Sequence, residues 1–231
     1  MGYHGNRKYY GLTGNYMELF RPGGLTLTQK AADVIGLVPG DRVLDIGCGL
    51  GTSLNFLREK YNIEAFGVDL HPEVAEKAKA HLGADNVFCA DACALPFEDS
   101  GFDAVFMECV LSLVKTPEKA LAEAYRVLKP GGHLVISSLV GGDKMFDNGR
   151  IGRGALLEKL GEFGFDVLNV SDETSALRRF VAEIIFEYDS IENYIETANH
   201  ELGGSVLNCD VPIKGTGYVL IIARKEYLEG I

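Results

Sequence analysis

Basic residues are scarce in this chain of 231 residues. Lysine and arginine number 22 against 33 aspartate and glutamate residues, so the formal net charge is −11 at pH 7. Affinity for nucleic acids comes mainly from clustered cations that neutralise phosphates. The shortage of basic residues therefore argues against a nucleic-acid partner and favours a small-molecule substrate.

Long apolar runs are also missing, and cysteines are few. No stretch reaches the roughly 18 apolar residues that span a bilayer, and residues 1–10 are polar and aromatic rather than signal-like. The five cysteines are scattered, unlike a secreted disulfide framework. Cys89 and Cys93 lack further ligands for zinc, so no metal is expected. These features predict a cytoplasmic protein with reduced thiols and no membrane partner.

The apolar segments that are present alternate with helical patterns, and the length fits a single domain over residues 1–231. A hydroxyl residue, Thr52 or Ser53, is expected to cap the helix after the first strand. The alternation implies parallel strands joined by right-handed crossovers, and so a doubly wound α/β sheet. The predicted strands cover residues 42–46, 65–69, 86–90, 102–107, 133–138, 166–170 and 217–223.

Two segments do not fit the alternation. Apolar residues between Leu177 and Tyr188 are spaced three and four apart, which indicates an amphipathic helix. We expect residues 172–216 to form a helical insertion that covers the site, a sheet edge or a dimer face, in a monomer or homodimer. Residues 1–30 are rich in aromatic residues and glycines, as a mobile lid is.

Residues with useful chemistry follow the first four predicted strands. The first strand runs into D-I-G-C-G-L-G at 45–51, and Asp69, Asp91 and Glu108 stand where the next three strands end. Ligands of open parallel sheets lie beyond the carboxyl ends of the strands. Glycines let the backbone approach a ligand, and the following helix offers free N–H groups. The sequence therefore predicts a nucleotide-like ligand at this edge.

Two cofactors fit this arrangement at first. Asp69 lies 24 residues after Asp45, where an acid binds ribose hydroxyls, so an NAD-dependent dehydrogenase must be considered. The glycine spacing, however, is G-x-G-x-G rather than G-x-G-x-x-G. Asp45 would also repel a pyrophosphate, whereas it suits an ammonium or a sulfonium. The charge pattern favours S-adenosylmethionine.

Five short motifs occur in order along residues 43–132. They are V-L-D-I-G-C-G-L-G at 43–51, G-V-D at 67–69, D-A at 91–92 with L-P-F at 95–97, F-D at 102–103, and A-Y-R-V-L-K-P-G-G at 124–132. In these segments the chain resembles the class I S-adenosylmethionine-dependent methyltransferases, in the branch with ubiquinone/menaquinone-biosynthesis and arsenite methyltransferases. This resemblance implies a Rossmann-like sheet of seven strands, mostly parallel with the last antiparallel, and methyl transfer to a small-molecule acceptor.

The resemblance also implies residue roles around the cofactor. The implied cofactor-binding residues are Asp45, Gly47, Cys48, Gly49, Asp69, Leu70, Asp91, Ala92, Glu108 and Cys109. The methionine part would be held by the residues at 45–49 and by Glu108 and Cys109. Asp69 would bind the ribose hydroxyls, and the remaining three would surround the adenine.

The methyl acceptor is less constrained. Tyr16, Arg21 and Thr26 are candidate substrate contacts, with Arg21 as an anchor for a carboxylate. Positioning and exclusion of water can supply most of the acceleration of methyl transfer, so a base is optional. Where the acceptor must lose a proton, the candidate bases are Glu108, Tyr16 and Asp143.

Two alternatives to an organic methyl acceptor stay open. E-C-V at 108–110 resembles a segment of the arsenite methyltransferases whose thiolate binds arsenic, and Cys209 is a candidate second soft ligand. Other cysteines of those enzymes are not matched here. A noncatalytic sensor or partner protein that only holds the cofactor would carry the same cofactor motifs.

Overall fold

Helices and strands alternate in the computed structural model, which describes residues 21–141, 146–147, 150–202 and 215–227. The helices are α1 (Gly24–Ile35), α2 (Thr52–Tyr61), α3 (Pro72–Leu82), α4 (Pro117–Val127), α5 (Arg153–Glu162), α6 (Thr174–Tyr188) and α7 (Ile191–Leu202). The strands of the main sheet are β1 (Arg42–Ile46), β2 (Glu64–Asp69), β3 (Val87–Cys89), β4 (Phe102–Glu108), β5 (Leu128–Val140), β6 (Phe165–Asp172) and β7 (Gly217–Lys225).

The seven strands lie in the order β3-β2-β1-β4-β5-β7-β6. Strands β1 to β5 pair in parallel, and β7 runs antiparallel to both β5 and β6. The predicted doubly wound sheet, with its antiparallel last strand, is confirmed. The chain moves outward from β1 to β3 and then returns to the other side of β1 as β4. This reversal opens a crevice at the carboxyl ends of β1 and β4.

Apolar side chains cover the sheet on both faces. Val43 belongs to the cluster that includes residues of α1, α2, α3 and α6, whereas Leu44 belongs to the cluster that includes α4 and α5. Successive strand residues point to opposite faces, so one short strand contributes to both clusters. The side chains of Val43 and Leu44 are both buried. Packing on both faces holds the end of β1 in a fixed position.

The expected helix between β6 and β7 is present as α6, and α7 follows it. Leu177 and Val181 of α6 pack in the same cluster as Leu27 of α1 and Tyr218 of β7. The ring of Tyr194 on α7 lies edge-on to Phe180 with centroids 5.9 Å apart. The described part of 172–216 therefore covers one face of the sheet near β7. In the described part of the chain, no helix is long and apolar enough to cross a membrane.

The start of α2 differs from the expectation. Gly51 precedes the helix with φ of 78°, and no side chain caps the first turn. Thr52 and Ser53 are the first two helical residues, so the predicted cap was wrong. A left-handed backbone favours glycine at the junction, and the hydroxyl of Ser53 is left for another contact.

Candidate active site

A cavity of about 720 Å³ opens at the carboxyl ends of β1, β2 and β4. All ten residues implied to bind a cofactor line it, and Arg21 lines it as well. Its volume lies in the range of about 300–1,000 Å³ that is usual for ligand sites. The reversal of strand order thus brings together residues from four separate loops, as the sequence predicted.

The glycine loop after β1 closes tightly against its neighbours. The amides of Gly47 and Cys48 both donate to the carbonyl of Val68, at 2.7 and 2.9 Å. Gly47 has φ of 73°, and a Cβ there would lie 2.2 Å from Cγ2 of Val110. Only glycine combines this backbone conformation with such a close approach. The loop therefore lets main-chain atoms form the wall of the cavity.

Asp69 and Leu70 form the part of the wall that follows β2. Asp69 is buried; its Oδ2 accepts from the amide of Gly49 at 3.0 Å, and its Oδ1 accepts from the amide of His71 at 3.0 Å. A carboxylate has about four acceptor positions, so both oxygens retain capacity for ligand hydroxyls. Leu70 is 60% exposed and offers an apolar surface to a flat ring.

The wall beyond β3 contains Asp91 and Ala92. Asp91 is exposed, and its Oδ1 accepts from the amide of Cys93 at 2.8 Å in a local turn. One oxygen of Asp91 is therefore used to shape the loop. The arrangement leaves the other oxygen for an exocyclic amino group of a base, which is the role implied for this position.

A buried ion pair lies at the end of β4. Nη2 of Arg21 is 2.9 Å from Oε2 of Glu108, and the two side chains are 7% and 3% exposed. Burial alone would lower the pKa of Arg21, but the charge of Glu108 and other nearby groups raise that pKa overall. Arg21 therefore stays a cation within the protein.

Two hydroxyl residues complete this ion pair. Oγ1 of Thr28 donates to the Glu108 carboxylate, 3.1 Å from Oε1. Nη2 of Arg21 donates to Oγ of Ser53 at 3.2 Å and also contacts Oγ1 of Thr28. Glu108 is thus engaged by a cation and a hydroxyl, and it would have to leave both to act as a general base.

Asp45 at the end of β1 has a different environment. Its side chain is buried, and its Oδ1 has no hydrogen-bond partner among the residues that the structure describes. Burial raises the pKa of Asp45 well above its ordinary value, the charge of Glu108 raises it further, and Arg21 opposes this shift. A cationic ligand group beside Asp45 would stabilise its charged form. The residue therefore suits the ammonium of S-adenosylmethionine.

Cys109 follows Glu108 and adopts φ of 60°. Its Sγ lies 3.1 Å from the hydroxyl of Tyr218, which also lies 3.0 Å from Oγ of Ser137. Burial raises the pKa of Tyr218 well above its ordinary value, so the phenol stays protonated. Within the described ranges, no group of three His, Cys, Asp or Glu residues is arranged to hold a metal ion. Cys209, the proposed second soft ligand, lies outside those ranges.

The candidate acceptor contacts are placed only in part. Tyr16 and Asp143 lie outside the described residues. Thr26 is exposed and does not line the cavity, whereas Thr28 is buried beside Glu108. Residues two positions apart on a helix face nearly opposite directions, so only one of the two threonines can face the sheet. Thr26 as a contact of the methyl acceptor therefore stays a prediction, and Thr28 is the α1 residue that contacts Glu108.

Comparison with known proteins matches these features to one family. The family described as "Methyltransferase domain" matches residues 44–136. The O-methyltransferase cnsE of Penicillium expansum is 31% identical over 223 residues, which are 87% of this chain and 78% of that protein. The demethylmenaquinone methyltransferase of Renibacterium salmoninarum is 40% identical over 109 residues, 47% of this chain and 46% of that protein. The chain thus spans about half the length of several curated relatives that it matches.

Solved structures agree with the fold. The crystal structure of the [4+2]-cyclase SpnF aligns with a TM-score of 0.69 at 26% identity, and the alignment covers 87% of this chain and 81% of that one. Other structures with the fold contain S-adenosylmethionine or S-adenosylhomocysteine. The similarity to the O-methyltransferase cnsE extends over 87% of this chain. The glycine loop, the acids at neighbouring strand ends and the strand order are consistent with that similarity. The chain belongs to the class I S-adenosylmethionine-dependent methyltransferases.

Proposed function

We propose that this protein transfers a methyl group from S-adenosylmethionine to a small organic acceptor. The observation that supports this most is Asp45, whose buried Oδ1 has no partner among the described residues and lies in the cavity beside the glycine loop. A carboxylate there attracts an ammonium and repels a pyrophosphate, so the site suits this cofactor better than NAD.

Different residues of the cavity wall would bind different parts of the cofactor. Asp45 and the loop backbone from Gly47 to Gly49 would hold the methionine part, while Asp69 would accept hydrogen bonds from the ribose. Leu70 would cover one face of the adenine. When bound, the cofactor supplies a methyl group that its sulfonium already activates. The chain's contribution is then to fix the geometry of in-line attack and to exclude water.

The methyl acceptor would enter beside Cys109. Val110, Leu113 and Val114 line this part of the cavity, and Leu113 is 50% exposed. An apolar wall favours an acceptor with an apolar portion, and one relative is named as a demethylmenaquinone methyltransferase. With a net charge of −11, we expect no nucleic-acid acceptor.

The source of a general base remains a prediction. Glu108 is engaged with Arg21 and Thr28, so we do not assign it this role. Tyr16 and Asp143 stay the predicted candidate bases. Residues 1–30 stay the predicted lid. In α6 and α7, the described residues do not line the cavity. The role of 172–216 at the site or at a dimer face therefore stays a prediction, as does a cytoplasmic location.

The proposal is tested by measuring S-adenosylhomocysteine release from S-adenosylmethionine with a panel of quinols, phenols, amines, phosphorylated amines and arsenite. We expect acceptor-dependent release that is lost in Asp69→Ala. The matched control is Glu64→Ala, which changes an exposed acid at the other end of the same strand. Cofactor binding without release for any acceptor would contradict the proposal.

A reaction other than methyl transfer is the second candidate. The similarity to a structure named as a [4+2]-cyclase, at 26% identity over 87% of this chain, favours it. In that case the protein would bind the cofactor and convert a substrate, but it would not consume the cofactor. The two functions are separated by following cofactor and substrate in the same assay: stoichiometric formation of S-adenosylhomocysteine supports methyl transfer, and substrate conversion without it supports the alternative.

A further inference from the structure

Two charged residues of α4 bind the main chain of the β3 loop, which comprises residues 90–97. Oε2 of Glu123 accepts from the amide of Leu95 at 2.7 Å. Arg126 donates from Nη1 to the carbonyl of Phe97 at 2.7 Å and from Nη2 to the carbonyl of Leu95 at 3.1 Å. Main-chain groups that are shielded from water need such partners, and a loop cannot obtain them from a strand ladder. Side chains of α4 therefore fix the path of this loop.

The same two side chains also hold each other. Nε of Arg126 is 2.7 Å from Oε1 of Glu123, and Nη2 is 2.9 Å from Oε2. Nη1 donates in addition to Oδ1 of Asp99 at 2.8 Å. The hydrogen bond from Arg126 lowers the pKa of Glu123, so this carboxylate keeps its charge. A two-point pair fixes the plane of the guanidinium, which a single contact between surface charges does not.

The β3 loop forms part of the cavity wall at its other end. Residues 90–93 line the cavity, whereas neither charged residue of α4 does. Asp91 shapes a turn here: its Oδ1 accepts from the amide of Cys93 at 2.8 Å, and its carbonyl accepts from the amide of Ala94 at 2.9 Å. Leu95 follows this turn directly. The position of Asp91 therefore depends on contacts that lie outside the cavity.

A second contact ties the cavity end of the β3 loop to the start of α4. Sγ of Cys93 lies 3.3 Å from Oγ1 of Thr116 and 3.7 Å from the carbonyl oxygen of the same residue. Thr116 directly precedes α4 and lines the cavity as well. Glu123 stands about two helical turns further along. The α4 segment thus holds the β3 loop at two separate points.

We infer that Arg126 and Glu123 are positioning residues for base selectivity, because they hold the β3 loop where the Asp91 carboxylate meets the exocyclic amino group of adenine. The inference rests on the proposed function, in which the cavity binds S-adenosylmethionine. A carboxylate accepts a hydrogen bond from an amino group and repels a carbonyl oxygen at the same point. Hydrogen bonds weaken steeply when their geometry is lost. A β3 loop released from α4 should therefore no longer distinguish the two groups.

Two ligands measure this selectivity. S-Adenosylhomocysteine carries the amino group, and S-inosylhomocysteine carries a carbonyl oxygen in its place, while the rest of the two compounds is the same. Calorimetric titration of the intact protein gives the ratio of their Kd values. We expect the wild type to bind S-adenosylhomocysteine roughly 10-fold more tightly, near the lower end for a hydrogen bond to a charged group.

The diagnostic variants are Arg126→Ala and Arg126→Lys. The first removes the donor of two loop carbonyls, and the second keeps the charge beside Glu123 but has a single nitrogen that cannot serve both carbonyls. We expect Arg126→Ala to bind the two ligands within about two-fold of each other, and Arg126→Lys within about three-fold. The ratio describes folded molecules only, so a loss of stability alone does not change it.

Arg42→Ala is the matched control. Nη1 of Arg42 likewise donates to a loop carbonyl, that of Gly101 at 2.8 Å, but Arg42 begins β1 and does not line the cavity. Urea unfolding shows how much stability each variant loses. We expect Arg42→Ala to keep the wild-type ratio of Kd values even though it is less stable than the wild type.

A double variant tests the coupling to Asp91. Asp91→Ala alone should abolish the selectivity, and adding Arg126→Ala should change the ratio no further, since both substitutions act on one hydrogen bond. The inference is overturned if either Arg126 variant or Asp91→Ala retains the wild-type ratio, if Arg42→Ala loses it, or if the wild type binds both ligands equally. Failure of the wild type to bind either ligand would instead contradict the proposed function itself.

Discussion

Oδ2 of Asp69 accepts a hydrogen bond from the amide of Gly49 at 3.0 Å, and this contact ties the end of β2 to the glycine loop after β1. The other oxygen of the same carboxylate accepts from the amide of His71 at 3.0 Å. Asp69 also lines the cavity. One side chain therefore shapes the loop and faces the ligand, so its removal should affect binding in two ways.

Asp69→Ala should weaken binding of S-adenosylhomocysteine by about 1.5–3 kcal/mol, the usual contribution of hydrogen bonds to a charged group. Isothermal titration calorimetry measures the change. Asp91→Ala is the matched comparison, since Asp91 is exposed and should contribute less. An unchanged affinity in Asp69→Ala would exclude the assignment of Asp69 to the ribose.

Gly47→Ala should destabilise the protein more than Gly49→Ala. Both positions have left-handed φ, 73° and 54°, which disfavours alanine by about 1–2 kcal/mol at either one. Only at Gly47 would the new Cβ also meet a neighbour, Cγ2 of Val110 at 2.2 Å, whereas nothing lies within 4 Å at Gly49. Urea unfolding of both variants tests this. Equal free energies of unfolding for the two variants would contradict the close approach of Gly47 to Val110. Adding Val110→Ala to Gly47→Ala should restore part of the lost stability.

Asp45→Asn should make the ligand-free protein more stable near pH 8 and weaken cofactor binding. Burial, followed by the charge of Glu108, raises the pKa of Asp45 well above its ordinary value of 3.8. The folded state therefore binds the proton more tightly than the unfolded state does. The resulting stabilisation is fully present below pH 3.8 and is lost as pH rises through the raised pKa.

Thermal unfolding of wild type and Asp45→Asn across pH 4–8 measures this effect, because the other titrating groups are common to both proteins. The melting temperature of the variant should exceed that of the wild type by a margin that grows with pH. Titration with S-adenosylhomocysteine should show weaker binding to the variant, since the carboxylate for the ammonium is gone. A variant that melts lower than the wild type by the same margin at every pH would contradict the assigned environment of Asp45.

Much of the fold and part of the site could be predicted because the informative residues are local in sequence. Asp69 is the last residue of β2 and Asp45 is the last but one of β1, and parallel strands bring such ends to one edge. The alternation of elements likewise predicted the order of strands and helices. These features depend on spacing within a few residues, which a single sequence displays directly.

The Arg21–Glu108 network could not be predicted in the same way. Thr28 and Glu108 are 80 positions apart, and Arg21 and Ser53 are 32 apart. Which side chains meet depends on how α1 and α2 pack on the sheet, and no local pattern records this. For the same reason the contact of Thr28 with Glu108 was not predicted, and Ser53 was expected to cap a helix.

Tyr218→Phe should lower the free energy of unfolding by about 1–3 kcal/mol. The Tyr218 hydroxyl lies within hydrogen-bond distance of Ser137, which is fully buried, and of Cys109. Its removal takes a partner from buried polar groups, which is unfavourable by roughly that amount. Tyr227→Phe is the control, because Tyr227 is 68% exposed. Similar small effects in both variants would show that the Tyr218 hydroxyl does not stabilise the strand ends.

The central claim is that the cavity at the ends of β1, β2 and β4 binds S-adenosylmethionine rather than a dinucleotide. Calorimetric titration of the wild-type protein with S-adenosylhomocysteine and, separately, with NADH tests it most directly. We predict saturable one-to-one binding of S-adenosylhomocysteine and no heat of binding from NADH. Tight binding of NADH together with no binding of S-adenosylhomocysteine would contradict the account.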